Sequence, residues 1–313
     1  MSVGASPVRV RREAVRVVVP ATSANLGPAF DSAGLALAVY DDLVAMVTED
    51  EGVLVEIAGE GEQTLPRDEQ HLVVQSMRSA FDRMGVEVPG FVLRCINSIP
   101  HGRGLGSSAA AIIGGIVLAR AMVEGGAEVM SDADVLQLAL EQEKHPDNLA
   151  AALHGSFTVA WIEDDGKVDV VRMPTHPGIR PAVLVPAAEL STAHARGMLP
   201  EFVSLADATV NIARSALLVH ALTLDPTRLM SATHDRIHQH SRASAYPDSV
   251  SLVSRLRELG VPAVISGAGP SVLAFLDDDA AEAMASLQTG DWIVRELAVS
   301  PAGAREVPLQ PTS

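Results

Sequence analysis

The sequence has 313 residues, 48% of them hydrophobic, and its formal net charge is −16. This length and apolar content are enough for one large or two ordinary domains with their own cores. The negative charge would repel a phosphate backbone, and no basic run interleaved with aromatic residues offsets it. The composition therefore argues against nucleic acid as a partner.

Neither a membrane span nor a disulfide framework is predicted. The longest clean apolar stretch, Ala109 to Ala119, is far shorter than the roughly 20 residues that a spanning helix needs. The N-terminus lacks the apolar segment of a signal peptide, so we expect a cytoplasmic protein without a membrane partner. The single cysteine, Cys95, lies in a strand-like stretch and is expected to be a buried, inert thiol.

The first half of the chain mixes predicted strands and helices, with an antiparallel sheet and a buried central helix as the expected result. In chain order the elements are a strand at 15–20, further strands within 38–57, a helix at 71–84, a strand at 91–96, an apolar helix at 107–123, a helix at 132–143 behind a Ser131 cap, and a strand at 157–162.

A polar turn at Glu163–Gly166 is the best candidate for a seam, which predicts domains at 1–163 and 164–313. The second half is predicted to contain a strand at 181–185, helices at 204–223, 231–241 and 249–259, and two strands flanking Ser266–Pro270. This order indicates an α+β fold rather than regular βαβ alternation. The tail after Ala302 is expected to be disordered.

The loop at Pro100–Ala110 carries the strongest chemical signal. Its glycines at 102, 104 and 106 directly precede the apolar helix, so backbone amides can approach an anion without interference from Cβ atoms. The start of the helix adds the positive end of its dipole, and Ser107 and Ser108 add hydroxyls. The alternative is a tight strand-to-helix turn, but the serine pair favours an anion site.

Better-known phosphate and nucleophile motifs are excluded by spacing. A Walker loop needs Gly-Lys-Ser/Thr, but the only Gly-Lys, Gly166-Lys167, precedes Val168. The loop reads Gly-x-Gly-x-Gly rather than the Rossmann Gly-x-Gly-x-x-Gly, and the Gly-x-Ser-x-Gly elbow of serine hydrolases is missing.

The loop resembles the Pro-x3-Gly-Leu-Gly-Ser-Ser-Ala signature of the GHMP small-molecule kinases. That resemblance implies a two-domain GHMP kinase fold, with an N-terminal domain like domain 2 of ribosomal protein S5 and a ferredoxin-like C-terminal domain. It also implies ATP as co-substrate and Mg²⁺ held by Ser108 and Glu143. The implied ATP-binding residues are Pro100, His101, Gly102, Arg103, Gly104, Leu105, Gly106, Ser107, Ser108, Ala109 and Ala110.

Further segments resemble the homoserine kinase branch of that family: Pro20–Leu37, Glu143–Leu153, Ser191–Pro200, Arg242 and Ile265–Phe275. By resemblance, Asn148 contacts the reacting hydroxyl and Arg196 grips the substrate carboxylate, so these two are the expected catalytic residues. The substrate-binding residues implied are Asn25, Asp31, His145, Asp147, Asn148, Thr192, Arg196, Arg242 and Gly267. An ammonium needs a carboxylate, which Asp31 could supply, and a planar guanidinium suits a carboxylate.

Each of these residues also has an ordinary structural interpretation. Asn25 and Asp31 suit a turn, His145-Pro146 suits a helix stop, and isolated arginines are usually solvated. Glu141 lies close to Glu143 in the sequence, so either glutamate could be the metal ligand. Whether the reaction needs a general base is also open.

The implied activity is phosphorylation of L-homoserine by ATP, a step of threonine biosynthesis. The alternatives are a GHMP kinase for another alcohol, such as mevalonate, and a catalytically silent ligand-binding regulator of the same fold. The oligomeric state is open, with a homodimer as one option.

Overall fold

The computed structural model describes residues 9–190 and 192–309. Eleven strands in this part of the chain form two sheets. The strands are β1 Val15–Ala24, β2 Ala33–Thr48, β3 Gly52–Gly59, β4 Gly90–Asn97, β5 Phe157–Ile162, β6 Val168–Met173, β7 Arg180–Val185, β8 Ala263–Ile265, β9 Val272–Leu276, β10 Ile293–Glu296 and β11 Arg305–Glu306.

Most helices lie where the sequence predicts them, and their ends follow from local capping. Ser131 begins α4 with a reciprocal capping box to Asp134, and the Ser204 side chain accepts from the backbone of Asp207 at the start of α7. The helices are α1 Leu72–Met84, α2 Ser107–Ala121, α3 Gly126–Val129, α4 Asp132–Gln142, α5 Pro146–His154, α6 Thr192–Arg196, α7 Leu205–Thr223, α8 Leu229–Ala232, α9 His238–Ser241, α10 Pro247–Glu258 and α11 Asp278–Ala285. Within the described ranges, none is both long and apolar enough to cross a bilayer.

The first sheet has the order β11-β1-β2-β4-β3, and β5 joins it through β2 and carries β6. All its pairs are antiparallel, as predicted, except β3 with β4. These two strands run parallel because the segment between them contains α1, which provides the crossover that parallel neighbours require.

The predicted central helix is confirmed in α2, which is buried along most of its length. Its small residues allow close approach on two sides. A Cβ on Gly114 would lie 2.7 Å from Leu43 of β2, and one on Gly115 would lie 2.7 Å from the carbonyl oxygen of Val73 in α1. Cys95 of β4 lies in this core, so the prediction that it is buried is confirmed, and burial raises the pKa of its thiol to about 12.

The second sheet has the antiparallel order β10-β7-β9-β8. In order of appearance along the chain this is 4-1-3-2, with helices between the first and second strands and α11 between the third and fourth. That arrangement is the ferredoxin-like topology that the resemblance implies. Helix α10 packs against β8 and β9 and completes this layer.

The two sheets do not divide at residue 163. Strand β6 pairs along its whole length with β5, so the first sheet continues to Met173. Strand β11 also returns to the first sheet, where it pairs with Val17 and Val18 of β1. We propose that the seam lies between Met173 and Arg180, with residues 305–306 belonging to the first sheet.

Two local predictions are wrong. The tail after Ala302 is ordered over its described part, because Arg305–Glu306 satisfy backbone groups of the edge strand β1. The predicted helix at 231–241 is broken into α8 and α9. The reason is Asp235, whose carboxylate accepts the backbone N–H groups of Ile237, His238 and Gln239 and so begins a new helix.

Candidate active site

The glycine loop between β4 and α2 has the geometry of an anion cradle. Gly102, Gly104 and Gly106 all have left-handed backbone angles, with φ of 62°, 72° and 70°. Gly106 is the N-cap of α2, so the loop ends where the first N–H groups of the helix lack partners within the helix. Backbone donors and the positive end of the α2 dipole therefore meet at Ser107 and Ser108.

Close packing around the loop explains why glycine is required at two of these positions. A Cβ on Gly106 would overlap the hydroxyl oxygen of Thr22 and lie 3.1 Å from Oδ1 of Asn148. A Cβ on Gly104 would overlap the carbonyl oxygen of Ser266, in the turn between β8 and β9. The loop is thus packed between β1, α5 and the second sheet, which holds its backbone in place.

We expect Gly106→Ala to lower kcat/KM for ATP, the co-substrate that the resemblance implies, by about 100-fold, because the new methyl group displaces the loop from Thr22 and Asn148. Gly166→Ala is the matched control, since Gly166 also has a positive φ, of 82°, but has open space around its Cβ position. Steady-state kinetics of both variants test this. Equal losses in the two would mean that backbone strain, rather than the contact with Thr22 and Asn148, matters.

The start of α5 places two predicted site residues beside the loop. The Thr22 hydroxyl donates to Oδ1 of Asn148 at 2.7 Å, which orients the amide next to Gly106. Asp147 is buried and accepts the backbone N–H of Asn148 at 2.7 Å. Burial raises the pKa of Asp147 to about 7, opposed by that hydrogen bond.

The structure distinguishes Glu143 from Glu141. Glu143 follows α4 directly and lies close enough to the Ser108 hydroxyl for that group to lower the pKa of its carboxyl group, against the larger effect of burial. Burial raises the pKa of Glu143, and its Oε2 atom is buried without a hydrogen-bond partner among the described residues. Glu141 is exposed instead and pairs with Arg83 at 2.8 Å and 3.0 Å. Only Glu143 therefore lies where it could share a ligand with Ser108.

Asp31 and Arg196 form a two-pronged ion pair with nitrogen–oxygen distances of 2.7 Å and 3.0 Å. His145 lies near this pair, and its pKa is lowered by burial and by the positive charge of Arg196. Asn25 supports the same turn: its amide oxygen accepts from the backbone N–H of Asp31 and its amide nitrogen donates to the carbonyl of Gly267. The turn interpretation of Asn25 therefore holds, whether or not it also contacts a substrate.

Arg242 is placed behind this pair. Its side chain is buried, and Nε donates to the carbonyl of Ala195 at 3.0 Å. His238 Nε2 lies 2.7 Å from the carbonyl of Gly27, so this nitrogen carries the proton and Nδ1 is left to accept from Arg242 at 3.5 Å. Arg242 thus contacts the helix that carries Arg196.

An aromatic ring that the sequence analysis did not single out lies close to both arginines. The guanidinium carbons of Arg196 and Arg242 lie 5.4 Å and 5.2 Å from the centroid of Phe30, and the ring stacks on His238. These are cation–π distances. The available signal was the position of Phe30 immediately before Asp31; nothing in the sequence marked His238 for this place.

The remaining predicted residues are distributed around the loop. Leu105, Ala109 and Ala110 are buried and anchor it, Pro100 and His101 precede it, and the turn at Gly267 packs on it. The backbone of Arg103 belongs to the loop, but its guanidinium bonds to carbonyls of the segment after β7. Thr192 begins α6, and its side chain lies outside the described part of the chain.

A pocket that the sequence analysis missed opens beside the loop. It lies between β1, β2 and the first turns of α1 and α2, and apolar side chains form much of its wall. Its polar lining consists of Asp41, His71, Asn97, His101, Ser107 and Ser108. His71 is buried, and neither ring nitrogen has a hydrogen-bond partner among the described residues. The pocket therefore offers a flat apolar group both a hydrophobic surface and two unused polar atoms.

Asp41, which lines this pocket, makes the free energy of unfolding depend on pH. Its carboxylate accepts the N–H groups of Ser98 and Ile99, yet burial raises the pKa of Asp41 from 3.8 to about 6. The folded state thus prefers the protonated acid, and this preference is lost as the pH rises through the raised value.

We expect the free energy of unfolding, relative to Asp41→Asn, to fall by about 2 kcal/mol between pH 4 and pH 7. Denaturant unfolding of both proteins across this range isolates Asp41, because all other titrating groups are shared. A constant difference with pH would show that Asp41 keeps its usual pKa.

Comparison with known proteins identifies the class to which this fold and site belong. Residues 71–156 match the GHMP kinases N terminal domain and residues 220–288 match the GHMP kinases C terminal region. A homoserine kinase of Streptomyces coelicolor is 52% identical over 303 residues, covering 97% of each chain. The chain belongs to the GHMP kinase family.

Its similar relatives within that family are homoserine kinases. One from Streptomyces avermitilis is 52% identical over 299 residues, covering 96% of this chain and 97% of that protein. The crystal structure of a homoserine kinase from Cytophaga hutchinsonii superposes with a TM-score of 0.81 at 26% identity, covering 96% of this chain and 99% of the other. The predicted two-domain GHMP kinase fold is confirmed.

Proposed function

We propose that this protein is a homoserine kinase, which transfers the γ-phosphoryl group of ATP to the side-chain hydroxyl of L-homoserine. The observation that carries this proposal is the Asp31–Arg196 pair beside the glycine loop. A carboxylate and a guanidinium held side by side match the ammonium and carboxylate groups of an amino acid. The similarity to homoserine kinases over nearly the whole chain supports the same acceptor.

ATP is the co-substrate of this kinase family, and two features accommodate it. The glycine loop and the N-terminus of α2 supply amide donors for the phosphate groups. The neighbouring pocket suits the base, because its walls are partly apolar and His71 has free nitrogens within it. Loop and pocket share Ser107 and Ser108, so one nucleotide can reach both.

We also propose that Ser108 and Glu143 hold Mg²⁺. The donors fit this ion, because a carboxylate and a hydroxyl are hard oxygen ligands and Oε2 of Glu143 is buried with no other partner among the described residues. Once bound, the ion would neutralise charge on the β- and γ-phosphates.

The chain's own residues mainly position the acceptor. Asp31 and Arg196 would exchange part of their mutual contact for the two ends of the amino acid, and Asn148, fixed by Thr22, would direct the hydroxyl toward the γ-phosphorus. Arg242 helps to position Arg196 by donating a hydrogen bond to the carbonyl of the preceding residue, Ala195. His145 lies at the same place, near Asp31 and Arg196.

No dedicated general base is required by this arrangement. Phosphoryl transfer through a loose transition state depends on alignment and charge neutralisation more than on early deprotonation of the acceptor. Asp147 is buried and already accepts the backbone N–H of Asn148, so we assign it the positioning of Asn148.

A coupled assay of ADP release tests the acceptor. Homoserine, mevalonate, shikimate and galactose are offered separately, each with Mg²⁺ and with EDTA. We expect ADP release only in the reaction that contains both homoserine and Mg²⁺. Turnover of mevalonate but not of homoserine would show that the protein is a kinase with a different acceptor. No ADP release with any of the four alcohols would support a regulator of the same fold.

A further inference from the structure

The guanidinium of Arg103 is directed away from the cradle that its backbone helps to form. Nε donates to the carbonyl of Pro186 and Nη2 to that of Ala187, both at 3.0 Å. Nη1 donates to the carbonyl of His101 at 3.1 Å and lies 3.5 Å from the Glu189 carboxylate. The side chain is 19% exposed. Its planar fork therefore bonds to carbonyls on both the loop and the segment after β7.

The segment reached by Arg103 leads directly to the acceptor site. Residues 186–190 follow β7, and α6 begins at Thr192 and ends at Arg196, which pairs with Asp31. Only six positions separate Leu190 from Arg196. The residues that Arg103 holds and the guanidinium that we assign to the substrate carboxylate therefore belong to one short stretch of the chain.

Further hydrogen bonds join the loop to the C-terminal half. The N–H of Leu190 donates to the carbonyl of Gly102 at 2.8 Å. The Ser266 hydroxyl donates to the carbonyl of Gly104 at 2.6 Å, and the N–H of Ser271 donates to the carbonyl of Arg103 at 3.4 Å. Arg103 contributes three side-chain hydrogen bonds in this region, and a substitution can remove them without changing the backbone.

We propose that Arg103 is a positioning residue that couples the phosphate loop to the acceptor site through residues 186–190. This inference rests on the proposed function, because it assigns Arg196 to homoserine. Nucleotide on the loop stabilises the arrangement in which Arg103 holds this segment and Arg196 faces Asp31. Binding of nucleotide therefore tightens binding of homoserine, and the reverse holds by the same factor.

The experiment measures the dissociation constant of homoserine by calorimetry with and without the Mg²⁺ complex of AMPPNP, a non-hydrolysable ATP analogue. We expect the analogue to tighten homoserine binding by about tenfold in the unmodified protein, within the range of ordinary coupling. In Arg103→Ala we expect the ratio to fall to about twofold or less. Arg103→Lys should behave similarly, because an ammonium cannot bond to three carbonyls in one plane.

Arg120→Ala is the matched control. The Arg120 side chain is 15% exposed and also bonds to a carbonyl and a carboxylate, those of Met130 and Asp132, but near the far end of α2. Its coupling ratio should equal that of the unmodified protein. Glu189→Gln removes only the charge of the ion pair and should keep most of the coupling, since the carbonyl contacts remain.

Coupling that persists in Arg103→Ala and Arg103→Lys, or that is missing from the unmodified protein, would overturn the proposal. Loss of coupling in Arg120→Ala to the same degree would do so as well, because it would reflect general destabilisation. Failure of the proposed function has a different signature: the unmodified protein would neither bind nor phosphorylate homoserine.

Discussion

Replacing Glu143 by glutamine should lower kcat by about 10³-fold, a loss of about 4 kcal/mol of transition-state stabilisation. The amide keeps the shape of the side chain but removes the negative charge that we assign to Mg²⁺. The remaining activity should require a higher Mg²⁺ concentration, and a titration of rate against Mg²⁺ measures this.

Glu141→Gln is the control for that experiment. Glu141 lies two residues earlier, within α4, but is exposed and pairs with Arg83, so its loss should leave kcat within about twofold. If Glu141→Gln had the large effect and Glu143→Gln the small one, the metal assignment would move to Glu141. Similar thermal midpoints for the two variants would exclude unfolding as the cause.

Arg196→Lys should raise the KM for homoserine by about 100-fold while the KM for ATP changes by about twofold or less. Lysine keeps the charge but loses the planar fork that bonds to Asp31 at two points. The substitution leaves the glycine loop and the pocket beside it untouched, so ATP binding should persist. Steady-state kinetics with each substrate varied in turn separate the two constants.

Arg180→Lys serves as the comparison, because Arg180 also forms ion pairs, with Asp278 and Glu296, but at the exposed first position of β7 in the second sheet. Neither KM should change in that variant. An Arg196→Lys protein with equal rises in both KM values would place Arg196 outside the carboxylate site.

The sequence predicted the nucleotide side of the site better than the acceptor side. The glycines of the loop, the serine pair and the start of α2 are neighbours along the chain, so their geometry follows from local backbone preferences. The acceptor side depends on contacts between distant segments. Asp31 and Arg196 are 165 residues apart, and no local pattern could establish that they meet.

The pocket that we assign to the base was missed for a related reason. Its polar lining comes from β2, β4 and the starts of two helices, and none of these segments carries a motif of its own. His71 precedes α1 without capping it by a side-chain hydrogen bond, so only packing reveals that it lines a pocket and that its ring nitrogens lack partners among the described residues. Phe30 was inconspicuous because an aromatic residue in a turn has no distinctive spacing.

The sequence alone determined the glycine loop and the order of most helices and strands. It also determined the residue types that suit an amino-acid substrate. Capping, turn formation and amphipathic periodicity act over a few positions, which is why they can be read directly. Tertiary structure decided which glutamate approaches Ser108, where the first sheet ends and which way Arg103 points. Those outcomes depend on strand register and on side chains brought together across the fold, where packing rather than local preference selects the partner.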